Sequence, residues 1–153
     1  MNPESNTKHN NYSVVEVGSS DLWKGYTTTK VNSLPGMEVP GKFFLNDVLA
    51  LTSMEISVNC LPAGGKVPFF HKHKSHEEVY IFLKGQGQFL IDGEIVPIKE
   101  GTAIKVNPEG IRTWRNNSNE DLYYLVIQAT AGSLTSPGTD DGIKTEGKPI
   151  WPA

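Results

Sequence analysis

The sequence predicts an all-β fold, either a sandwich or a small barrel, and three observations support this prediction. Short segments rich in β-branched and aromatic residues recur about every ten residues. Clusters of Gly, Pro, Asn and Asp separate them, as in chains that turn tightly between strands. No stretch has the apolar period of a long amphipathic helix. The length of 153 residues fits one domain with its own core.

The first 61 residues begin with a polar segment and continue into short strands. Residues 1–20 are rich in Asn, Ser and Lys, so we expect a flexible N-terminal arm. Residues 26–31 predict a strand, and residues 47–52 predict a strand or a short helix. Residues 54–61 alternate apolar and polar side chains, which is the period of a half-buried strand.

The remaining strands are short and evenly spaced. Asp92-Gly93 predicts a tight hairpin, because both residues of such a turn take a positive φ. The barrel is therefore assigned to residues 21–130, and residues 131–153 predict an irregular tail that packs on the barrel or on a partner. The predicted strands of this part are residues 79–83, 88–91, 94–98, 103–106, 112–115 and 122–128.

Composition excludes several classes of function. The net charge is −3, and no basic stripe favours nucleic acid. No run of apolar residues is long enough to span a membrane, and the N-terminal residues lack a secretion signal, so we expect a cytoplasmic protein. The single cysteine, Cys60, excludes an intramolecular disulfide and lies in an alternating apolar run that predicts burial.

A cluster of histidines and acids predicts a metal site. His71 and His73 are two residues apart, so in a strand both imidazoles point to the same side. A carboxylate from the next strand, Glu77 or Glu78, completes a three-sided cup that suits Fe, Zn, Mn, Co or Ni. The other interpretation of this segment is a solvated loop whose charges face water.

The same segment resembles the first motif of the cupin family. It is written Gly65-x5-His71-x-His73-x4-Glu78-x6-Gly85, and it fits that motif at every position. The resemblance implies a double-stranded β-helix, which is a jelly-roll barrel, across about residues 54–130. It also implies that Glu78 is the acidic ligand and that one divalent ion, Fe, Mn, Ni or Zn, is the cofactor.

The second cupin motif is only partly present. The family pattern is Gly-x5-Pro-x-Gly-x2-His-x3-Asn, whereas here the proline after Gly101 is one place late. Aligned from Pro108, the position of the fourth ligand falls on Thr113, a poor ligand for a transition metal. We expect a three-ligand site with an open position, and the alternative is a weakened site in a binding protein.

Strand alternation also predicts the lining of a substrate pocket. Residues that share a face with Glu78 or Thr113 would point into the lumen, and Arg115 could bind a substrate carboxylate. His76 and Glu77 are candidate proton-transfer groups beside the metal, with Arg115 as a third catalytic candidate. The predicted pocket residues are Tyr80, Phe82, Gln88, Thr113, Arg115 and Gln128.

The sequence is compatible with three functions. The first is a metal-dependent, dioxygenase-like oxidoreductase that acts on a small polar organic molecule. The second is a metal-assisted isomerase, epimerase or lyase, and the third is a non-catalytic sugar- or metabolite-binding protein. The resemblance to small cupins further implies a homodimer.

Overall fold

The all-β prediction is confirmed by the computed structural model, which describes the backbone of all 153 residues and every side chain except those of residues 5–7. The only helical segments described are the 3-10 helix Ser20–Gly25 and the one-turn helix α1, Asn46–Leu49. The strands are β1 Ser5–Lys8, β2 Ser13–Val15, β3 Thr27–Thr28, β4 Val39–Pro40, β5 Lys42–Phe44, β6 Glu55–Leu61, β7 His76–Lys84, β8 Gln86–Ile91, β9 Glu94–Lys99, β10 Ala103–Val106, β11 Arg112–Arg115 and β12 Leu122–Thr130.

Two sheets form the body of the fold. The five-stranded sheet has the order β10-β7-β12-β6-β5, and the three-stranded sheet has the order β11-β8-β9. The segment before β7 runs beside β11 through bridges from Lys66 to Arg115 and from His71 to Arg112, which widens the smaller sheet. Asp92 and Gly93 both have a positive φ, at 49° and 86°, so the predicted hairpin between β8 and β9 is confirmed.

The main core lies between the two sheets. Antiparallel partners share a face of the sheet, so alternate residues of each strand enter the same interior. Burial of these side chains provides most of the driving force that joins the two sheets. The buried members of this core are Tyr80, Phe82, Phe89, Ile98, Val106, Trp114, Leu122, Tyr124 and Val126.

A second core covers the outer face of the five-stranded sheet. Trp23 and Tyr26, which follow the polar N-terminal residues, pack with Phe43, Val58 and Cys60. The indole of Trp23 and the hydroxyl of Tyr26 both donate hydrogen bonds to the carbonyl of residue 17, at 3.1 and 2.8 Å. The N-terminal part of the chain therefore closes this face, and the predicted burial of Cys60 is confirmed.

The two ends of the chain differ in organisation. β1 and β2 pair within residues 1–20, so this segment contains a short antiparallel ladder, and its predicted flexibility stays a prediction. Residues 131–153 contain no strand or helix, and their side chains are exposed. The predicted strand at residues 26–31 is only two residues long, and the segment 47–52 begins in α1 rather than in a strand.

No helix among the described residues is long and apolar enough to cross a lipid bilayer.

Candidate metal centre

Backbone pairing brings the two histidines opposite strand β7. His71 exchanges two backbone hydrogen bonds with Arg112, both at 3.1 Å, and the amide of His73 donates to the carbonyl of Pro108 at 3.1 Å. Glu78 lies in β7 and points to the same interior. The predicted same-side orientation of the imidazoles is thus produced by pairing with β11 and with the turn before it.

The three side chains converge on one point. The Nε2 atom of His73 lies 3.1 Å from Oε1 of Glu78, and Nε2 of His71 lies 3.7 Å from Oε2. One ligand atom from each residue lies within 4.8 Å of the others. The structure therefore places these three donors as a possible metal-binding group.

Two buried imidazole nitrogens lack hydrogen-bond partners within the described part of the chain, and one of them is suited to bind a metal ion. Nε2 of His73 and Nδ1 of His71 are buried and make no hydrogen bond to the described residues, since the 3.1 Å contact of His73 with Glu78 lacks hydrogen-bond geometry. A buried polar atom without a partner is unfavourable, and binding a cation on Nε2 of His73 would satisfy that atom. Two imidazoles and one carboxylate form a donor set that suits Fe, Mn, Ni or Zn.

Glu78 is held in position by a buried arginine. Arg112 is 0% exposed, and its Nη2 donates to Oε2 of Glu78, to which the Tyr80 hydroxyl also donates. Nη1 of Arg112 donates to the carbonyl of Gly110 at 2.8 Å, which fixes the guanidinium plane. Oε2 of Glu78 therefore accepts from Arg112 and Tyr80, whereas Oε1 faces His73.

The carboxyl of Glu78 stays ionised although it is buried. Burial alone would raise its pKa, but interactions with His71, His73, Tyr80 and Arg112 outweigh burial and hold the pKa well below its usual range. A carboxylate that is ionised in advance is the form that binds a cation.

Thr113 requires a correction. In β11 the side chains of Arg112 and Trp114 are buried, whereas Thr113 lies on the opposite face and donates from its hydroxyl to the carbonyl of Val67 at 3.1 Å. The family pattern places the fourth ligand eleven residues after its glycine, and eleven residues after Gly101 is Arg112. Alignment from Gly101 would have identified Arg112, whereas alignment from Pro108 selected the neighbouring residue.

The alignment from Gly101 also identifies the asparagine of the second motif. Asn116 lies four residues after Arg112 and is 1% exposed. Its side-chain amide donates to the carbonyls of Leu61 at 3.0 Å and Glu120 at 2.7 Å. These bonds join the end of β11 to the end of β6, so Asn116 has a structural role at this position.

Arg115 and Gln88 also lie outside the predicted pocket. Both alternate with buried residues, and Nε of Arg115 donates to Oε1 of Gln88 at 2.7 Å on the outer face of the smaller sheet. They line an external groove with Thr113 and Ile95. The structure therefore places both side chains on the outer face and not beside Glu78: Arg115 shares the face of Thr113, and Gln88 pairs with Arg115 across β8 and β11.

The two candidate proton-transfer groups of β7 point in opposite directions. Glu77 faces away from Glu78 and pairs with Lys105 at 3.4 Å. His76 lies on the inner face, where its ring stacks on that of His73 with centroids 6.2 Å apart. The structure thus brings His76, but not Glu77, to the metal-binding group.

The remaining predicted pocket residues lie on the inner face. Gln128 pairs across β12 with Glu78, and its Oε1 is 3.0 Å from Nδ1 of His76. Tyr80 reaches Glu78, whereas Phe82 lies deeper and packs against Tyr124. Gln128 and Tyr80 therefore border the site, and Phe82 belongs to the core beneath it.

Comparison with known proteins supports this description. A family profile described as a cupin domain matches residues 57–128. A cupin protein from Bacteroides fragilis is 40% identical, with a TM-score of 0.67, and the match covers 72% of this chain and 95% of that one. A proposed sugar phosphate isomerase from Acidithiobacillus ferrooxidans is 25% identical, with a TM-score of 0.55 and coverage of 69% and 67%.

Among curated proteins, an oxalate-binding protein from Thermotoga maritima is 36% identical over 67 residues, which cover 44% of this chain and 54% of that protein. The chain thus spans about half the length of the curated relatives it matches.

Proposed function

We propose that this chain, which belongs to the cupin superfamily, is a metal-dependent enzyme that binds a small oxygen-rich molecule at His71, His73 and Glu78. The observation that carries the proposal is the convergence of these three donors around an imidazole nitrogen that has no other partner. Fe, Mn, Ni and Zn are the candidate ions. When bound, such an ion acts as a Lewis acid that polarises an oxygen of the substrate.

The surrounding residues are arranged to orient a substrate and to move a proton. Arg112 and Tyr80 fix one oxygen of Glu78, which leaves Oε1 directed at His73. Nδ1 of His76 lies 3.0 Å from the amide oxygen of Gln128, and in the neutral tautomer that donates this hydrogen bond Nε2 carries the free lone pair. His76 can therefore accept a proton from a substrate bound beside His73.

This arrangement favours metal-assisted proton transfer, as in an isomerase, epimerase or lyase. The similarity to the proposed sugar phosphate isomerase from Acidithiobacillus ferrooxidans supports this class. The second candidate is the dioxygenase-like oxidoreductase predicted from sequence, and the donor set of two histidines and one carboxylate favours it. The oxalate-binding relative supports a third candidate, a protein that binds a metabolite without transforming it.

Metal analysis tests the proposal directly. Protein purified without a metal-binding tag and dialysed against each candidate ion should retain about one equivalent, because the residues that the structure describes contain one such donor group. His71→Ala and His73→Ala should each lose most of this metal. The matched control is His76→Ala, which removes a neighbouring imidazole outside the donor group and should retain the metal. Retention by all three variants would refute the site.

Two assays separate the candidate reactions. Solvent deuterium should exchange into a keto acid or ketose under anaerobic conditions, and His76→Ala should abolish this exchange while it keeps the metal. The Fe-loaded protein should consume oxygen with a substrate panel only if the oxidoreductase is correct. Binding without either activity would leave the non-catalytic candidate.

The predicted homodimer is also kept as a proposal. Large apolar side chains of the tail are exposed, including Leu134, Ile143 and Trp151. Exposed apolar groups of this size are typical of contacts between chains. Light scattering of the full chain, compared with a chain that ends at residue 130, should show a dimer that the shorter chain lacks.

A further inference from the structure

We propose that Lys42, Ser57 and Asn59 form an anion-binding subsite inside the sandwich, and that this subsite receives the second carboxylate of a small dicarboxylate ligand. The first carboxylate would bind at His71, His73 and Glu78. This inference rests on the proposed function and adds a substrate class to it.

Strand register places Lys42 on the inner face. Lys42 pairs with Asn59 across β5 and β6, Asn59 pairs with Tyr124 across β6 and β12, and Tyr124 pairs with Phe82 across β12 and β7. Paired residues share a face, and Tyr124 and Phe82 belong to the core between the sheets. Lys42 therefore points into the same interior as Glu78, which lies two strand positions from Tyr80 and four from Phe82.

The ammonium group is held by buried neutral oxygens. Nζ of Lys42 donates to Oγ of Ser57 at 3.0 Å and to Oδ1 of Asn59 at 2.9 Å, and it lies 4.8 Å from the centre of the Phe44 ring. Ser57 and Asn59 are 1% and 2% exposed. The amide of Asn59 donates to the carbonyl of Tyr124 at 3.3 Å, so its oxygen is turned toward Lys42.

The ammonium group of Lys42 can donate one further hydrogen bond. An ammonium carries three donors, and Ser57 and Asn59 use two of them. No carboxylate forms an ion pair with Lys42 among the side chains that the structure describes. A cation inside a protein is normally paired, so an anionic ligand group is the partner that this position lacks.

The charges of the inner face indicate how many negative charges the ligand carries. Two cations, Lys42 and Arg112, and two carboxylates, Glu55 and Glu78, lie on this face. They balance one another, so a divalent ion at the histidines would leave an excess of two positive charges. A dicarboxylate would neutralise this excess, whereas a monocarboxylate would leave one positive charge on this face uncompensated.

Calorimetric titration of the Mn-loaded full chain tests the subsite. Oxalate, malonate and succinate are the dicarboxylate probes, and acetate is the monocarboxylate probe. For the dicarboxylate that binds most tightly, Lys42→Met should weaken the affinity about tenfold or more, because it removes one charge partner of a buried pair. Acetate should lose much less affinity than the dicarboxylate, and Mn should bind at least as tightly as to the wild type, because the variant removes a positive charge from the face that holds the ion.

Two further variants control this experiment. Lys66→Met removes a lysine from the outer groove and should bind every probe as the wild type does. Lys42→Arg keeps the charge and should retain most of the dicarboxylate affinity. If Lys42→Met does not fold, Lys42→Gln takes its place, since its amide can still bond Ser57 and Asn59 without a charge.

The outcomes distinguish this inference from the proposed function. A Lys42→Met protein that binds every dicarboxylate as tightly as the wild type, or a metal-loaded wild type that binds none, would overturn the subsite and leave the metal centre intact. Failure of the wild type to bind any candidate ion would overturn the proposed function. In that case the metal-free protein is titrated with succinate: binding that depends on Lys42 supports the subsite, and no binding overturns it.

Discussion

Arg112 is the single residue that most alters the site expected from the cupin pattern. Its guanidinium lies where the pattern has its third imidazole, which is the fourth ligand, and it donates to the acidic donor Glu78. Loss of one member of a buried ion pair leaves the other without compensation. Arg112 therefore holds the carboxylate of Glu78 in place, and it occupies the position of the fourth metal ligand in the cupin pattern.

Substitution of Arg112 by histidine should convert the three-donor group into a four-donor group. We expect Arg112→His to bind Zn or Ni more tightly than the wild type, while the metal-free variant loses about 3 kcal/mol of unfolding free energy because the pair with Glu78 is broken. Competition with a chelator measures the affinity, and urea unfolding measures the stability.

The matched control is Thr113→His, which places the same imidazole one residue later. Thr113 faces outward, so this variant should bind metal as the wild type does and lose only about 1 kcal/mol with its hydrogen bond to Val67. Tighter metal binding by Thr113→His than by Arg112→His would show that the register derived from Gly101 is wrong.

The same two residues show which part of the site could be predicted from the sequence. His71 and His73 were placed together by their spacing, and the resemblance to the unbroken first cupin motif selected Glu78 over Glu77. The second motif can be aligned from Gly101 or from Pro108, and the two alignments differ by one residue. A shift of one residue in a strand reverses the face of every side chain, so the error at Thr113 was carried to Arg115.

Among the strands, β5 depends most directly on one backbone position. Gly41 precedes β5 with a φ of +70°, and a Cβ atom there would lie 2.2 Å from the carbonyl oxygen of Cys60. The amide of Cys60 donates to the carbonyl of Gly41 at 2.7 Å, so this close approach joins β5 to β6. A side chain at residue 41 would separate the two strands and displace Lys42.

Gly41→Ala should therefore destabilise the protein more than a positive φ alone explains. The control is Gly36→Ala, since Gly36 has a φ of +73° but no atom within 4 Å of the added Cβ. We expect Gly41→Ala to lose at least about 1 kcal/mol more unfolding free energy than Gly36→Ala in urea titrations. Equal losses would show that the contact with Cys60 does not constrain β5.

Strand β5 also shows where sequence patterns fail at the level of elements. The long strands β6, β7 and β12 have enough residues for alternation to be read, and their predictions are confirmed. β5 has three residues and follows Pro40-Gly41, and these residue types are typical of turns between strands. A strand this short has no measurable period, so Lys42 could not be placed in the interior before the sheet register was known.

At the scale of the whole molecule, the interior of the sandwich combines an apolar core with a polar layer. Tyr80, Trp114 and Tyr124 form part of the core, and the charged groups lie on the same inner face toward β5 and the histidine segment. Trp23 and Phe43 form part of a separate core on the outer face of the larger sheet. The two apolar clusters stabilise the fold on both sides of this sheet, which allows charged groups to remain inside although each costs solvation energy.

Because burial of the Lys42 ammonium is unfavourable, the free energy of unfolding should depend on pH. Burial lowers the pKa of Lys42 from 10.5 to about 8, although Glu78 and Glu55 act in the opposite direction. Between these two values the unfolded chain binds a proton that the folded chain has released, so the free energy of unfolding should rise with pH. In metal-free protein, the wild type should gain on the order of 2 kcal/mol relative to Lys42→Met between pH 7.5 and 10. Urea unfolding of both proteins at each pH measures this gain, and titrations common to both cancel in the comparison. A difference that stays constant or falls as the pH rises would show that the ammonium of Lys42 is not buried in the sandwich.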